Sequence, residues 1–366
     1  GDGDVQTGLD FANWTGVTKA GTKFQDLDAD GSDREPGEPG LAGWTIYLDK
    51  VGGGTISTTT DVNGNFEFDN LMVGQYTVRE ENRANWVHMN QASYGVTIVS
   101  GTIMQLPPFL NVELSTVTGC KYNDLNGNGI RDPNEPGIRG WTIYMIWDKD
   151  PTVYHTTTNA DGCYEFTGLM PDSFYEVYES QSPDWTPTNQ TWEVFSIVSG
   201  TTHHVHDFGN FNNAVITVFK YEDMNSNGLY DNGDTPLPGW HFTVSGPGIL
   251  GGSTEVVTDA SGLAHLTVTA AGLYTVTEMG QVGWTPTTPI VQFVSVTSGS
   301  ASPQVVMFGN FKCVDITLFK YEDVNSNGVY DQGVDNPIEG WTFYLTSWSG
   351  RQMTAVTDED GYVHLH

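Results

Sequence analysis

Hydrophobic and polar residues alternate along this chain in short runs, and no segment holds the 3.6-residue period of a helix. Across residues 114–212 the alternation predicts seven strands, roughly 117–123, 140–148, 152–158, 162–167, 173–180, 191–198 and 203–211. Glycine, asparagine and aspartate punctuate them, as tight turns require. Seven alternating strands in about a hundred residues predict a β-sandwich.

The pattern recurs along the chain. Strands open on Gly43-Trp44, Gly140-Trp141, Gly239-Trp240 and Gly340-Trp341. Hairpin turns follow at Asn63-Gly64, Asp161-Gly162, Ser261-Gly262 and Asp360-Gly361. Closing strands run through Phe109-Leu-Asn111, Phe208-Gly-Asn210 and Phe308-Gly-Asn310, and Phe11-Ala-Asn13-Trp14 carries the same signature. The expected organisation is residues 1–14 as the last strand of a preceding repeat, then sandwich repeats over 15–113, 114–212 and 213–313, then an incomplete fourth over 314–366. Junctions such as Asn212-Asn213-Ala214 are too short for flexible linkers. The fold class is therefore all-β, with tandem Ig-like β-sandwich domains stacked end to end, each large enough to bury its own core.

Related acidic loops stand between the first and second strand of each repeat, beginning at residues 26, 124, 223 and 323. The second copy fits D-x-[DN]-x-[DN]-G-x5-E without a gap. Asp124, Asn126, Asn128, Asp132 and Glu135 would offer side-chain oxygens and Ile130 its carbonyl, the set of hard ligands that calcium takes. The third offers Asp223, Asn225, Asn227, Leu229 through its carbonyl, Asp231 and the shorter Asp234. The first offers Asp26, Asp28 and Asp30, with Glu35 and Glu38 displaced by one extra residue. The fourth offers Asp323, Asn325, Asn327, Val329, Asp331 and Asp335, the last one residue late. The competing reading is a set of Asn/Asp-Gly turns that hold themselves by side-chain to backbone bonds. Flanking strands make helix opening of the sensor type inapplicable, so the expected role of calcium is structural.

Charge supports that picture. Forty-five Asp and Glu stand against 14 Lys and Arg, a formal net charge of −31, which excludes the basic footprint of a nucleic-acid binder. Four divalent ions would still leave −23. Aromatic residues make up 12% and alternate with polar ones, so the acidity is no signature of disorder. No run of eighteen apolar residues exists, so no membrane span is expected. The chain begins in mid-pattern, as a processed or partial product would.

A strand leading into D-x-N-x-N-G-x-x-D, then E-P-G-x-x-G, then another strand, resembles the B domains of Gram-positive serine–aspartate-repeat surface proteins. More broadly it is similar to the B-type domains of collagen adhesin and pilins. The resemblance covers essentially the whole chain, specific in the loop and the E-P-G and general in the later strands. It implies a prealbumin-like sandwich, calcium-stiffened, serving as a stalk or spacer on a cell surface.

Each repeat also places one lysine three residues before its loop, at Lys23, Lys121, Lys220 and Lys320. In Ile216-Thr-Val218-Phe-Lys220, alternation puts Lys220 on the face of Ile216 and Val218. If that face is the core, the amine is buried and must be paired or neutral. The opposite alternation, with Phe219 and Tyr221 inward, leaves it solvated. Lysine on the first strand, glutamate on a middle strand and asparagine on the last resembles the intramolecular isopeptide triad of B-type pilin and adhesin domains. The implied sets are Lys23, Glu80 and Asn111; Lys121, Glu179 and Asn210; and Lys220, Glu278 and Asn310.

Cys120 and Cys163 fall in one repeat and either pair or stand as independent thiols, while Cys313 has no obvious mate. His203, His204 and His206 read as a solvated strand rather than a metal site, because the other repeats lack them. Asn13 and Asn189 head glycosylation sequons. Trp44, Trp141, Trp240 and Trp341 are expected in the cores, with Trp86, Trp185 and Trp284 beside loops. No nucleophile–base pair, phosphate loop or redox motif is visible, so no enzyme is expected. The reading is an extracellular structural protein at the cell surface, a calcium-stiffened rod or filament that self-associates. A cell-surface adhesin for a cell-wall or host ligand, and a spacer stalk of a larger surface enzyme, are the alternatives.

Overall fold

The computed structural model describes residues 16–365 apart from 33, 102–103, 301–303, 347–349 and 351. The expected strand over residues 1–14, with the sequon at Asn13, lies outside the described residues. Every regular element among the described residues is a β-strand.

In the first repeat Val17–Gln25 lies between Asn65–Leu71 and Phe109–Glu113, antiparallel to the former and parallel to the latter. A second sheet orders Thr55–Thr59, Thr45–Lys50, Gly74–Glu80 and Ser93–Ile98, all antiparallel. Inward residues of both sheets, among them Ile46, Leu48, Phe66, Val78 and Phe109, form one core. The second repeat sets Ser115–Asn123 between Cys163–Leu169 and Phe208–Asn212, facing a sheet of Asp150–Thr157, Thr142–Trp147, Asp172–Glu179 and Trp192–Ile197. The third uses Ala214–Glu222, Leu263–Val268 and Gln304–Lys312 in one sheet. Its other sheet contains Ser253–Val257, His241–Ser245, Gly272–Glu278 and Val291–Val296.

The last expected strand of the second repeat is broken. Thr202–His204 and Phe208–Asn212 pair separately with Ser115–Asn123. Between them the carbonyl of Asp207 accepts the side-chain amide of Asn189 at 2.8 Å, which takes that carbonyl out of the ladder. A short strand, Trp185–Pro187, is also added. Trp86 and Trp284 stand edge-on to the core residues Trp44 and Trp240, at 5.3 and 5.5 Å, so they pack against the cores.

The chain packs as two compact units. One takes the described residues up to Asn123, Gly129–Ser182 and Pro187–Asn210, and so holds the sheets of the first two repeats. The other takes Asp124–Asn128, Pro183–Thr186 and the chain from Phe211 onward. In the fourth repeat Ile316–Phe319 pairs with Tyr362–Leu365, and Thr342–Thr346 with Gln352–Val356. Trp341 is 49% exposed there, against 1% for Trp44, because no glutamate or asparagine strand covers it among the described residues.

The glycine of E-P-G has a steric reason. The hairpin turn closes on it, so a Cβ at Gly40 would lie 2.0 Å from the Asn63 carbonyl oxygen and one at Gly137 would lie 1.9 Å from that of Asp161. Only glycine allows the backbones to approach this closely.

Candidate metal loops and buried lysine triads

Strand alternation resolves with the lysines inward. Lys23, Lys121 and Lys220 are fully buried, each over the ring of the tryptophan that opens the next strand, at 3.8, 4.5 and 4.4 Å. Register then fixes their neighbours. Lys23 is opposite Phe109 and Gln25 opposite Asn111, so the lysine and the asparagine share the inner face of parallel strands. The second and third repeats repeat the offset through Lys121–Phe208 and Lys220–Phe308. Glu80, Glu179 and Glu278 reach the same spot from the facing sheet and are themselves buried.

The expected triads therefore come together in all three repeats. Lys23 pairs with Glu80 and donates to Asn111 Oδ1 at 2.7 Å. Lys121 pairs with Glu179, which also takes a hydrogen bond from Asn210. Lys220 Nζ lies 3.1 Å from Glu278 Oε1, and Asn310 Nδ2 donates to the same oxygen at 2.7 Å. Burial pulls each of the three lysines down to about 8, against the opposing pull of its glutamate. Burial likewise pushes the Glu179 carboxyl up. In the second repeat both effects favour a neutral amine beside a neutral carboxyl, the state in which a lysine can act as a nucleophile. Lys320 lies 4.7 Å over Trp341, without counterparts of the other two members among the described residues.

His88 joins the first triad and escaped the repeat comparison. Its Nδ1 lies 2.6 Å from Glu80 Oε1, and its Nε2 lies 2.8 Å from Asn82 Oδ1. The second and third repeats have Pro187 and Pro286 at this place, so the one departure in Trp-x-His against Trp-x-Pro was the available signal. Pairing of His88 with Asn111 across adjacent strands puts the ring there.

The loops fold around their first residues. Asp26, Asp223 and Asp323 each accept two backbone N–H groups from the loop's sharp turn. Carboxylate oxygens of Asp26, Asp28 and Asp30 lie within 4.8 Å of one another. Glu35 is exposed, and neighbouring Asp30 pushes its carboxyl up. In the third loop Asn225 and Asn227 both converge on Asp231, and in the fourth Asn325 and Asn327 converge on Asp331. Leu229 and Val329 turn their side chains to solvent, which leaves the carbonyl as the only donor either can offer.

The closing residues act alike despite their different lengths and positions. Glu38 accepts from Leu27 N–H and Glu35 N–H, Asp234 from Met224 N–H and Asp231 N–H, and Asp335 from Val324 N–H and Asp331 N–H. The extra residue in the fourth loop is absorbed by Val334 and Asp335, whose N–H groups both donate to the Asp331 carbonyl. The second loop folds in the same manner around its first and last residues. Asp124 accepts from Gly127 N–H and Asn128 N–H, with Asn126 accepting a further bond from Asn128 N–H. Glu135 accepts from Asp132 N–H, and Ile130 is exposed. The donors are all oxygens, the set that suits a hard cation such as calcium. Loop and triad are joined through the backbone, because Asp26 N–H donates to the Asn111 carbonyl and Asp223 N–H to that of Asn310.

A serine turn reaches each of the first two loops. In the first unit Ser199 N–H, from the second repeat, donates to the carbonyl of Leu27 inside the first loop at 3.0 Å. Ser199 Oγ accepts from Gln25 Nε2 at 2.9 Å and from Glu113 N–H at 2.7 Å. In the second unit Ser298 N–H donates to the Leu125 carbonyl at 3.2 Å, and Asn212 N–H donates to Ser298 Oγ at 2.6 Å. The sequence signal was the recurrent Ser-Gly after an alternating strand, which reads as an ordinary turn until the partners are known.

Cys120 and Cys163 form a disulfide between directly opposed positions of adjacent strands, and Cys313 is free and exposed. His203 and His206 both contact Glu193, and His204 contacts Asp207, so each of these histidines is engaged by a carboxylate. Asn189 donates to Gly129 O at 3.3 Å and accepts from Gly209 N–H at 2.9 Å, which employs the sequon side chain in holding the loop's turn.

A family model for the SdrD B-like domain matches residues 21–97 and 116–194. Serine-aspartate repeat-containing protein F of Staphylococcus epidermidis is 27% identical, over 88% of this chain and 21% of that protein. Serine-aspartate repeat-containing protein D of Staphylococcus aureus is 26% identical, over 78% of this chain and 22% of that protein. The chain thus spans about a fifth of these relatives. Among solved structures, the major pilin subunit BcpA of Bacillus cereus aligns with 81% of this chain and all of its own, at 13% identity and a TM-score of 0.38. No helix among the described residues is long and apolar enough to cross a membrane. The kinship is with extracellular surface proteins of the structural or adhesin type. Residues 21–97 and 116–194 are two SdrD B-like domains in tandem, within a chain similar over most of its length to the cell-surface serine–aspartate-repeat proteins.

Proposed function

We propose that this chain is a calcium-stiffened, internally cross-linked stretch of a cell-surface rod, whose copies associate into a filament or array. The observation that carries the reading is the bond from Ser199 N–H to the Leu27 carbonyl. Calcium held by Asp26, Asp28, Asp30 and Glu38 would order the loop that contains Leu27, and the ordered loop would hold the serine turn of the following repeat. One ion then stiffens a domain and its junction together. A ligand bound by the folded state alone stabilises it by about 2.7 kcal/mol at a hundredfold excess over Kd.

The triads supply the cross-link. With Lys220 neutral, its Nζ attacks Cγ of Asn310, Glu278 carries the proton from the amine to the departing group, and ammonia leaves as the Nζ–Cγ amide forms. The same step would apply at Lys23 with Asn111 and at Lys121 with Asn210. No turnover of an external substrate is proposed. Small-angle scattering and thermal melting of the whole chain, in calcium and in excess chelator, test the stiffening. Chelator is expected to broaden the distance distribution and lower the melting temperature, and identical curves would refute the role of calcium.

A further inference from the structure

The outer faces of the three four-stranded sheets differ in a way their common framework hides. In the second repeat His155, Tyr144, Tyr178 and Trp192 are opposite one another in register across all four strands. Tyr144 and Tyr178 stack at 5.2 Å and 19°, and Trp192 is 46% exposed. The next outward row is Ile146, Glu176 and Val194. A shallow depression of about 600 Å³ opens here, lined in part by Tyr178, Trp192 and Glu176, and no lysine or arginine lines it.

The first repeat shows what this geometry accepts. At the register of Tyr144 it has Tyr47, and at that of Tyr178 it has Arg79, whose guanidinium lies 4.1 Å over the Tyr47 ring. Arg79 Nε also donates to Asp49 Oδ2 at 2.7 Å. The first repeat therefore fills its own aromatic face with a cation held by a carboxylate. In the third repeat the row is Glu255, Thr243, Thr277 and Val291, with no ring. The second repeat alone has the π faces and the carboxylate without a cation of its own.

We propose that the face of Tyr144, Tyr178 and Trp192 binds a cationic side chain of a partner polypeptide, an arginine above all. Its guanidinium lies against Tyr178 and Trp192 and donates to Glu176, as Arg79 does to Asp49 over Tyr47. Ring quadrupoles attract a cation, and a planar guanidinium stacks where an ammonium only touches. The net charge of −31 adds long-range attraction for the same partner. The site requires neither calcium nor the cross-links.

The test uses the full chain labelled with 5-fluorotryptophan, with the Trp192 fluorine resonance assigned by its loss in Trp192→Phe. Titration with N-acetyl-arginine amide should shift that resonance saturably. Glu176→Gln should weaken the response on the order of tenfold. The double substitution Ile146→Asp with Tyr178→Arg rebuilds the self-filled face of the first repeat and should abolish it, while the other tryptophan resonances confirm the fold. No saturable shift in the unsubstituted chain would overturn the proposal, as would an undiminished response in the double variant. A shift produced equally by a neutral cello-oligosaccharide would overturn it in favour of a saccharide site.

Discussion

Lys23 and Asn111 lie on the inner face of neighbouring parallel strands, two register positions apart, with Nζ 2.7 Å from Oδ1. The same offset recurs in the second and third repeats, where the lysine and the asparagine both meet a glutamate arriving from the opposite sheet. A strand ladder is a rigid ruler, so the proposed amide would cost little further entropy of positioning.

Intact mass is expected to fall short of the sequence by one ammonia for each closed triad, three in all. Lys220→Met should restore one ammonia and leave two missing. A mass equal to the sequence would show the triads to be unreacted salt bridges. Glu278→Ala should leave Lys220 unlinked and buried without its partner, at a cost of about 3–5 kcal/mol in the third repeat.

The pH dependence distinguishes the linked from the unlinked state. In Asn310→Ala, Lys220 remains a free amine held down to about 8, while the unfolded chain keeps its ordinary 10.5. Between those values the folded state has released a proton that the unfolded state retains, so stability should rise with pH from about 8 towards 10.5. Below that window both states are protonated and the full penalty of burying the cation applies. Denaturant melts at pH 7 and pH 10 should therefore diverge in Asn310→Ala. In the unsubstituted chain Lys220 contributes nothing to such a slope once it is an amide.

Asp231 separates calcium binding from loop folding. It accepts amide hydrogens from Asn225 and Asn227, which an asparagine oxygen can also do. Asp231→Asn should melt within about 0.5 kcal/mol of the unsubstituted chain in chelator, as surface changes usually do. Its gain in stability on adding calcium should shrink. Equal gains in both proteins would remove Asp231 from the ligand set.

Ser199→Ala deletes the Oγ contacts to Gln25 and Glu113 while sparing the backbone bond to Leu27. Loss of each hydrogen bond should cost about 1 kcal/mol. The Glu113 amide, which donates to Ser199 Oγ, should exchange with solvent roughly fivefold faster or more. Chelator should speed exchange at the same amide in the unsubstituted chain, and protection indifferent to calcium would uncouple loop from junction.

The disulfide closes a separation of 43 residues, for which chain entropy predicts about 4 kcal/mol. Cys120→Ser with Cys163→Ser should lower the stability of the second repeat by up to that amount and leave the third unchanged. Equal destabilisation of both repeats, followed by exchange at Val177 and Val276, would show that they unfold as one.

Much of this protein is local in origin. Alternation by two, the Gly-Trp openings and the repeated Asp/Asn-x-Asn-Gly loops are properties of a few neighbouring residues, so the sequence by itself determined the all-β class, the repeats and the candidate loop residues. It also determined which residues could form the triads, since a lysine, a glutamate and an asparagine recur at matching places. Alternation alone left the faces undecided, because a one-residue shift inverts every side chain. Packing decided it: Ile216, Val218 and Lys220 are buried while Phe219 is only half-buried, and the opposed sheet supplies Glu278 to compensate the amine. The break at 205–207, the entry of His88, the Ser199 bond to Leu27 and the row from Tyr144 to Trp192 each join residues distant in sequence through register. Register is set by the whole sheet, so these relationships exist only once the strands have paired.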